Sequence, residues 1–283
     1  MSIVYLNGQF LPLLDARISV LDRGFLFADG VYEVIPAYNG KLFRLEHHLE
    51  RLDNSMRGIH LSNPLSNAQW SDVLNALVER NGGGNISVYL HVTRGADEKR
   101  DHLYSASTEQ TIFVMTTPIK PVSAHLLEQG AKLIVLDDIR WQHCNLKTIA
   151  LLPNVMLRNQ AHAAGADEAI LVRDGYATEA TVSNFFVVKD GVVLTPPKSE
   201  FLLPGITRDL VLELARDHGM PCEETSIGRE MLYDADEIWI TSSTKEVVAA
   251  TRLDGEYVGD GLPGPMWKLM LRYYQEYKMQ LKN

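Results

Sequence analysis

The chain has 283 residues, of which 46% are hydrophobic and 22% charged, and a formal net charge of −9. That length allows one large or two modest domains, and the acidic balance excludes general attraction to nucleic acid or to an anionic membrane. No apolar run approaches a membrane span, Cys144 and Cys222 have no metal or redox spacing, and no basic stretch precedes an apolar core at the N-terminus, so a cytoplasmic protein is expected.

Asn7-Gly8 splits "IVYL" from "QFLPL", and Asn39-Gly40 splits "VYEVIPAY" from "KLFRL". Both are hairpin signals, because a type I′ turn needs positive φ at its two central residues. "LFRLEHHLERLDNSM" then places Leu45, Leu49, Leu52 and Met56 at helical spacing. Arg51 on that helix either faces water or offers a fixed charge to a dianion. The adjacent His47 and His48 lack metal-ligand spacing. "SNAQWSDVLNALVERN" reads as an amphipathic helix, and the glycines of "NGGGNISVYLHVTRG" lead into a strand, which makes a flexible turn rather than a nucleotide loop. Beyond it, Arg100 and His102 are alternate residues of a loop. Extended backbone would point them to one side, where they clasp a carboxylate or form a mixed-charge surface.

Two prolines in "TTPIKPVSA" predict an interdomain linker, giving residues 1–117 as a small N-terminal domain, 118–123 as the linker and 124–283 as a larger domain. Lys147 follows, among Leu146, Ile149, Leu151, Leu152 and Val155. It is either a snorkelling lysine or a desolvated amine able to attack a carbonyl. In "YATEATVSNFFVV", Glu179 caps a turn or meets a cationic ring nitrogen. Asp190-Gly191 and Asp254-Gly255 mark further hairpins. "LPGITRDLVLELARDHG" starts a helix after Pro204-Gly205, where the N–H groups of Ile206 and Thr207 and the Thr207 hydroxyl can bind phosphate or merely cap the helix. "EIWITSSTKEV" ends a strand in Ser242, Ser243 and Thr244, a polar turn or a second set of phosphate contacts. "PGPMWKLMLRYYQEYKM" closes the chain as an amphipathic helix. Strands and helices alternate without a regular βαβ beat, an α+β pattern with antiparallel pairing.

In order and spacing, "DRGFLFADGVYEV", "HLERL", "TRG", "DDIRW", "LK" before an apolar run, "ATEATVSNFFVV", "LLPGITRD" and "ITSST" resemble the class IV aminotransferases of the pyridoxal-phosphate enzymes. The resemblance covers nearly the whole chain. It implies fold type IV, with a small N-terminal α/β domain and a larger, cofactor-binding, mixed α/β barrel-like domain. It also implies pyridoxal 5′-phosphate carried by Lys147 as an internal aldimine, with Glu179 at the pyridinium nitrogen, Arg51, Ile206, Thr207, Ser242 and Ser243 at the phosphate, and Ser183 beside the cofactor. Tyr32 and the Arg-x-His of Arg100 and His102 are similar to the substrate-carboxylate residues of the D-amino-acid enzymes, where the latter two reach in from the other subunit of a homodimer. The implied reaction is ping-pong transamination of D-alanine with 2-oxoglutarate, giving pyruvate and D-glutamate. The same scaffold also serves aminodeoxychorismate lyase and branched-chain or (R)-amine aminotransferases. One departure is Val182, where the D-amino-acid enzymes tend to carry a serine run.

Overall fold

The computed structural model describes residues 2–105 and 108–281 and divides into two compact units. The first comprises the chain up to Ile119 together with Leu146–Leu151, and the second comprises Lys120–Asn145 and Leu152–Leu281.

In the first unit, β1 (Ile3–Leu6), β2 (Gln9–Pro12), α1 (Arg23–Phe27), β3 (Gly30–Tyr38), β4 (Lys41–Leu42), α2 (Leu45–Gly58), α3 (Asn67–Arg80), β5 (Ile86–Thr93) and β6 (Thr111–Pro118) follow in order. The strands form one sheet, β2-β1-β6-β5-β3-β4, and its named pairs are antiparallel. Asn7 and Gly8 both have positive φ between β1 and β2, as do Asn39 and Gly40 between β3 and β4, the conformation that makes these pairs tight hairpins. Leu49, Leu52 and Met56 of α2 and Trp70, Leu74 and Leu77 of α3 pack with Val31, Ile35, Val88 and Leu90 of the sheet as one core. The Ser66–Gln69 capping box starts α3. Pro118 ends β6 opposite Ile86 in a non-hydrogen-bonded pair, where no ladder N–H is needed, and Ile119 N–H still donates to the Asn85 carbonyl at 3.0 Å.

The second unit runs α4 (Ala124–Gln129), β7 (Ala131–Asp137), α5 (Leu152–Ala163), β8 (Glu168–Arg173), β9 (Tyr176–Ala180), β10 (Asn184–Lys189), β11 (Val192–Thr195), α6 (Ile206–Asp217), β12 (Cys222–Glu224), β13 (Ile227–Gly228), α7 (Arg229–Tyr233), β14 (Glu237–Ser242), β15 (Glu246–Leu253), β16 (Glu256–Tyr257) and α8 (Pro265–Gln280). Its ten strands form a mixed sheet that curls as a half-barrel. β7 pairs parallel with β8 and β15, and β11 with β12, which adds parallel pairs to the antiparallel pattern expected. Parallel neighbours need a crossover, and α5 and α6 lie in two of these connections. Asp190-Gly191 and Asp254-Gly255 form the expected hairpins, and Asp174-Gly175 makes another, joining β8 to β9.

Candidate active site

In the first unit, the chain returns at Leu146–Leu151 to add an edge to β3. Thr148 bridges Val31 antiparallel, Tyr32 N–H donates to the Lys147 carbonyl at 2.9 Å, and Lys147 N–H donates to Ser55 Oγ at 3.0 Å. Main-chain bonds on both sides therefore fix Lys147, and its Nζ lies 4.3 Å from the centroid of the Tyr32 ring. The lysine is half-buried, and of the apolar residues after it in the sequence Leu152 and Val155 are 70% and 52% exposed.

Arg51 is buried. Its Nε donates to Glu33 Oε1 at 2.8 Å and its Nη2 to Oε2 at 2.9 Å, and His48 Nδ1 lies 2.8 Å from Oε2. Burial opposes charge on Glu33, but the Arg51 guanidinium, helped by His48, outweighs it and holds the carboxyl well below the usual carboxylate range. Burial also pushes the His48 imidazole down, against the pull of Glu33.

Arg100 and His102 stand in the loop after β5. The Arg100 guanidinium carbon is 4.8 Å from the Phe27 ring centroid and the His102 ring 5.2 Å from it, so both approach one aromatic ring.

In the second unit, Glu179 near the end of β9 is buried and salt-bridged by Arg140 Nη1, while Asn184 Nδ2 donates to its Oε2 at 3.2 Å. Asn184 also donates to the Leu203 carbonyl at 2.9 Å, tying β10 to the segment that leads into α6. There Gly205 is required by close approach, since a Cβ would meet Asn184 Oδ1 at 1.9 Å. Gly205 provides no side-chain cap, so α6 begins at Ile206 and Thr207, both buried, with its first N–H groups and dipole uncapped by a side chain. Asn184 is register partner to Thr241, whose buried hydroxyl finds no hydrogen-bond partner among the described residues. Such a start of a helix and such a hydroxyl suit a phosphate group. Ser242 accepts from Lys245 N–H at 3.3 Å, capping the turn that holds Ser243. Ser183 is buried and its hydroxyl donates to Glu168 Oε2 at 3.4 Å, whereas Val182 is 56% exposed.

The profile described as "Amino-transferase class IV" matches residues 30–253. The chain belongs to the class IV aminotransferases. It is 41% identical over 266 residues to the D-alanine aminotransferase of Bacillus licheniformis, covering 94% of this chain and 93% of that one. It is 35% identical over 274 residues to that of Listeria monocytogenes, covering 96% and 95%. Among solved structures, the Escherichia coli branched-chain amino acid aminotransferase superposes with a TM-score of 0.89 at 26% identity, covering 95% of this chain and 92% of that one. A branched-chain amino acid aminotransferase from T.th., solved with pyridoxamine 5′-phosphate, gives 0.89 at 27% identity, covering 96% and 93%. The architecture is therefore fold type IV.

Several residues of the candidate site escaped the reading of the sequence. Glu33 is a lone carboxylate in the apolar strand "GVYEVIPAY", and a buried carboxylate needs a partner, so the strand itself signals it. Arg140 belongs to "DDIRW", with Asp138 two residues before it as its fork partner, at 2.9 Å from both Nε and Nη2. Thr241 precedes the serines that drew notice. Asn184 has no sequence signal beyond following Ser183.

Proposed function

We propose that this aminotransferase acts on D-amino acids, with D-alanine as donor and 2-oxoglutarate as acceptor, giving pyruvate and D-glutamate. The observation that carries this is identity to D-alanine aminotransferases along nearly the whole chain. The Arg100–His102 pair on one aromatic ring supports it.

The residues fit pyridoxal 5′-phosphate. The uncapped start of α6 and the Thr241 hydroxyl without a partner suit its phosphate, and a buried carboxylate backed by an arginine suits a protonated ring nitrogen. When bound, this cofactor supplies an electron sink for the carbanion at the substrate Cα. In this reading Lys147 would hold the cofactor through Nζ, and its free amine would carry the proton at the substrate Cα. The ring of Tyr32 beside Nζ limits where that amine can swing. Glu179 holds the proton at the ring nitrogen, and Ser183 lines the cofactor. Arg51, Ile206, Thr207, Ser242 and Ser243 bind the phosphate, with Glu33 aiming the Arg51 guanidinium. Arg100 and His102, supplied by the second subunit of a homodimer, bind the substrate carboxylate together with Tyr32. A cytoplasmic setting agrees with the free thiols of Cys144 and Cys222.

The test is a half-reaction. Cofactor-loaded protein is mixed with D-alanine, L-alanine or L-leucine while its visible absorbance is followed. Bleaching by D-alanine alone is expected. Bleaching by L-leucine alone would favour the branched-chain activity of the structural relatives, and pyruvate released from aminodeoxychorismate with no acceptor would favour the lyase.

A further inference from the structure

Arg23 opens α1 and is 4% exposed, with its guanidinium carbon 4.9 Å from the Phe27 ring centroid and 5.8 Å from that of Tyr104. Its Nε donates to Asp29 at 2.9 Å. Nη1 donates to the Asp101 carbonyl at 2.6 Å and reaches the Leu103 carbonyl at 3.5 Å and the Asp97 carboxylate at 3.3 Å. Nη2 donates to the His102 carbonyl at 3.1 Å. The charge of Arg23 is met by Asp29 and Asp97, while its remaining donors take consecutive carbonyls of the loop that carries Arg100 and His102. Carbonyl contacts fix main chain whatever side chains the loop bears.

Among the described residues, the loop is also held by the Tyr104 ring, 3.9 Å from the Arg94 guanidinium carbon, and by the Thr108 hydroxyl, which donates to Asp97 at 2.5 Å, but it buries little apolar surface. Leu103 is 82% exposed and Tyr104 46%, and the Lys99–Asp101 ion pair lies on the surface. Short of apolar burial, a segment is ordered by its polar anchors. One turn along α1 from Arg23, the Phe27 ring is the seat both Arg100 and His102 approach. The helix is itself pinned, because Arg23 N–H donates to the Gly95 carbonyl at 2.8 Å and Asp22 accepts from Gly24 N–H at 2.8 Å and the Thr111 hydroxyl at 2.6 Å. A Cβ at Gly24 would meet Thr93 Cγ2 at 2.2 Å, so only glycine lets α1 lie this close to β5.

We infer that α1 is the mount of the substrate-carboxylate pair: Arg23 fixes the main chain of Asp101–Leu103 and Phe27 seats the side chains of Arg100 and His102, making both positioning residues for carboxylate-bearing substrates. The inference rests on the role proposed for Arg100 and His102.

The experiment is a double-mutant cycle on holoenzyme, with Arg23→Met, Arg100→Ala and the pair, reading KM for D-alanine, kcat and the cofactor dissociation constant. Arg23→Met should raise KM by about tenfold with kcat and cofactor affinity nearly unchanged, and should add clearly less in the Arg100→Ala background, where only the part acting through His102 remains. An unchanged KM, an additive cycle, or a parallel loss of cofactor affinity would overturn the mount. If Arg100→Ala itself leaves KM unchanged, the reading of Arg100 fails instead. Should Arg23→Met not melt cooperatively, Phe27→Leu takes its place, with the same non-additive rise expected and additivity again decisive.

Discussion

Each unit of the molecule buries a glutamate against an arginine, and the two pairs are built differently. In the first unit, Glu33 is fully buried and takes Nε and Nη2 of Arg51 as well as His48, both partners coming from α2. In the second, Glu179 meets Nη1 of Arg140 and Nδ2 of Asn184, the fork of Arg140 faces Asp138, and Asp138 is also bridged by Arg173 at 3.3 Å. The first pair gathers three nitrogen contacts onto one carboxylate. The second is one link of an alternating run, Arg173–Asp138–Arg140–Glu179, in which losing one member leaves others compensated. The contrast separates two tasks. A closed pair holds a guanidinium in place, whereas an open run backs a carboxylate through a chain of charges, which suits the role proposed for Glu179.

The largest effect that follows is on Glu33. Glu33→Gln leaves the Arg51 guanidinium buried without its main counter-charge, and loss of about 3–5 kcal/mol is expected, read as a lower urea midpoint at unchanged m. The same pair sets an acid limb. Because the folded Glu33 carboxyl titrates below its unfolded value, its stabilisation is complete above the ordinary glutamate pKa of about 4.3 and is lost as pH falls below that. Glu33→Gln should therefore flatten the low-pH slope of stability. An unchanged slope would mean that other carboxylates, such as Asp138, whose pKa is lowered by Arg140 against burial, carry the acid limb.

Arg140→Gln should cost less, about 1.5–3 kcal/mol, because Asp138 keeps Arg173 and Glu179 keeps Asn184. Its larger consequence is expected in cofactor affinity, measured by equilibrium dialysis of pyridoxal 5′-phosphate, whereas Glu33→Gln should weaken both stability and affinity. If Arg140→Gln proves the more destabilising, the contrast between a closed pair and an open run is wrong.

Much of this was legible in the residues. Hairpins at Asn7-Gly8, Asn39-Gly40, Asp190-Gly191 and Asp254-Gly255, and the helices over Leu45–Gly58 and Pro265–Gln280, follow from local chemistry that the fold leaves intact. Arg100 and His102, read as alternate residues of a loop, both lie beside the Phe27 ring. What stayed hidden was long-range. The pairing of Lys147–Ile149 with β3 joins residues more than a hundred positions apart, and no periodicity near Lys147 announces it. The partners of buried charge were equally unseen, since Glu33 with Arg51 and Glu179 with Arg140 meet only in three dimensions.

A third buried carboxylate sharpens the comparison at its weak end. Glu168 is fully buried, and its partners are the Thr181 hydroxyl, the Val182 N–H at 3.1 Å and the Ser183 hydroxyl at 3.4 Å. Asn154 Nδ2 holds the Thr181 carbonyl at 2.8 Å from α5. The turn is thus fixed through main chain and flanking hydroxyls, and the Val182 side chain contributes little to it. Val182→Ser, which restores the hydroxyl usual in the D-amino-acid enzymes, should leave the melting free energy within about 0.5 kcal/mol of the parent. Any gain should appear in cofactor or substrate affinity, at most about 1 kcal/mol for one added hydrogen bond. A clear loss of stability would show that Val182 supports the turn through its side chain, and that Glu168 does not fix it alone.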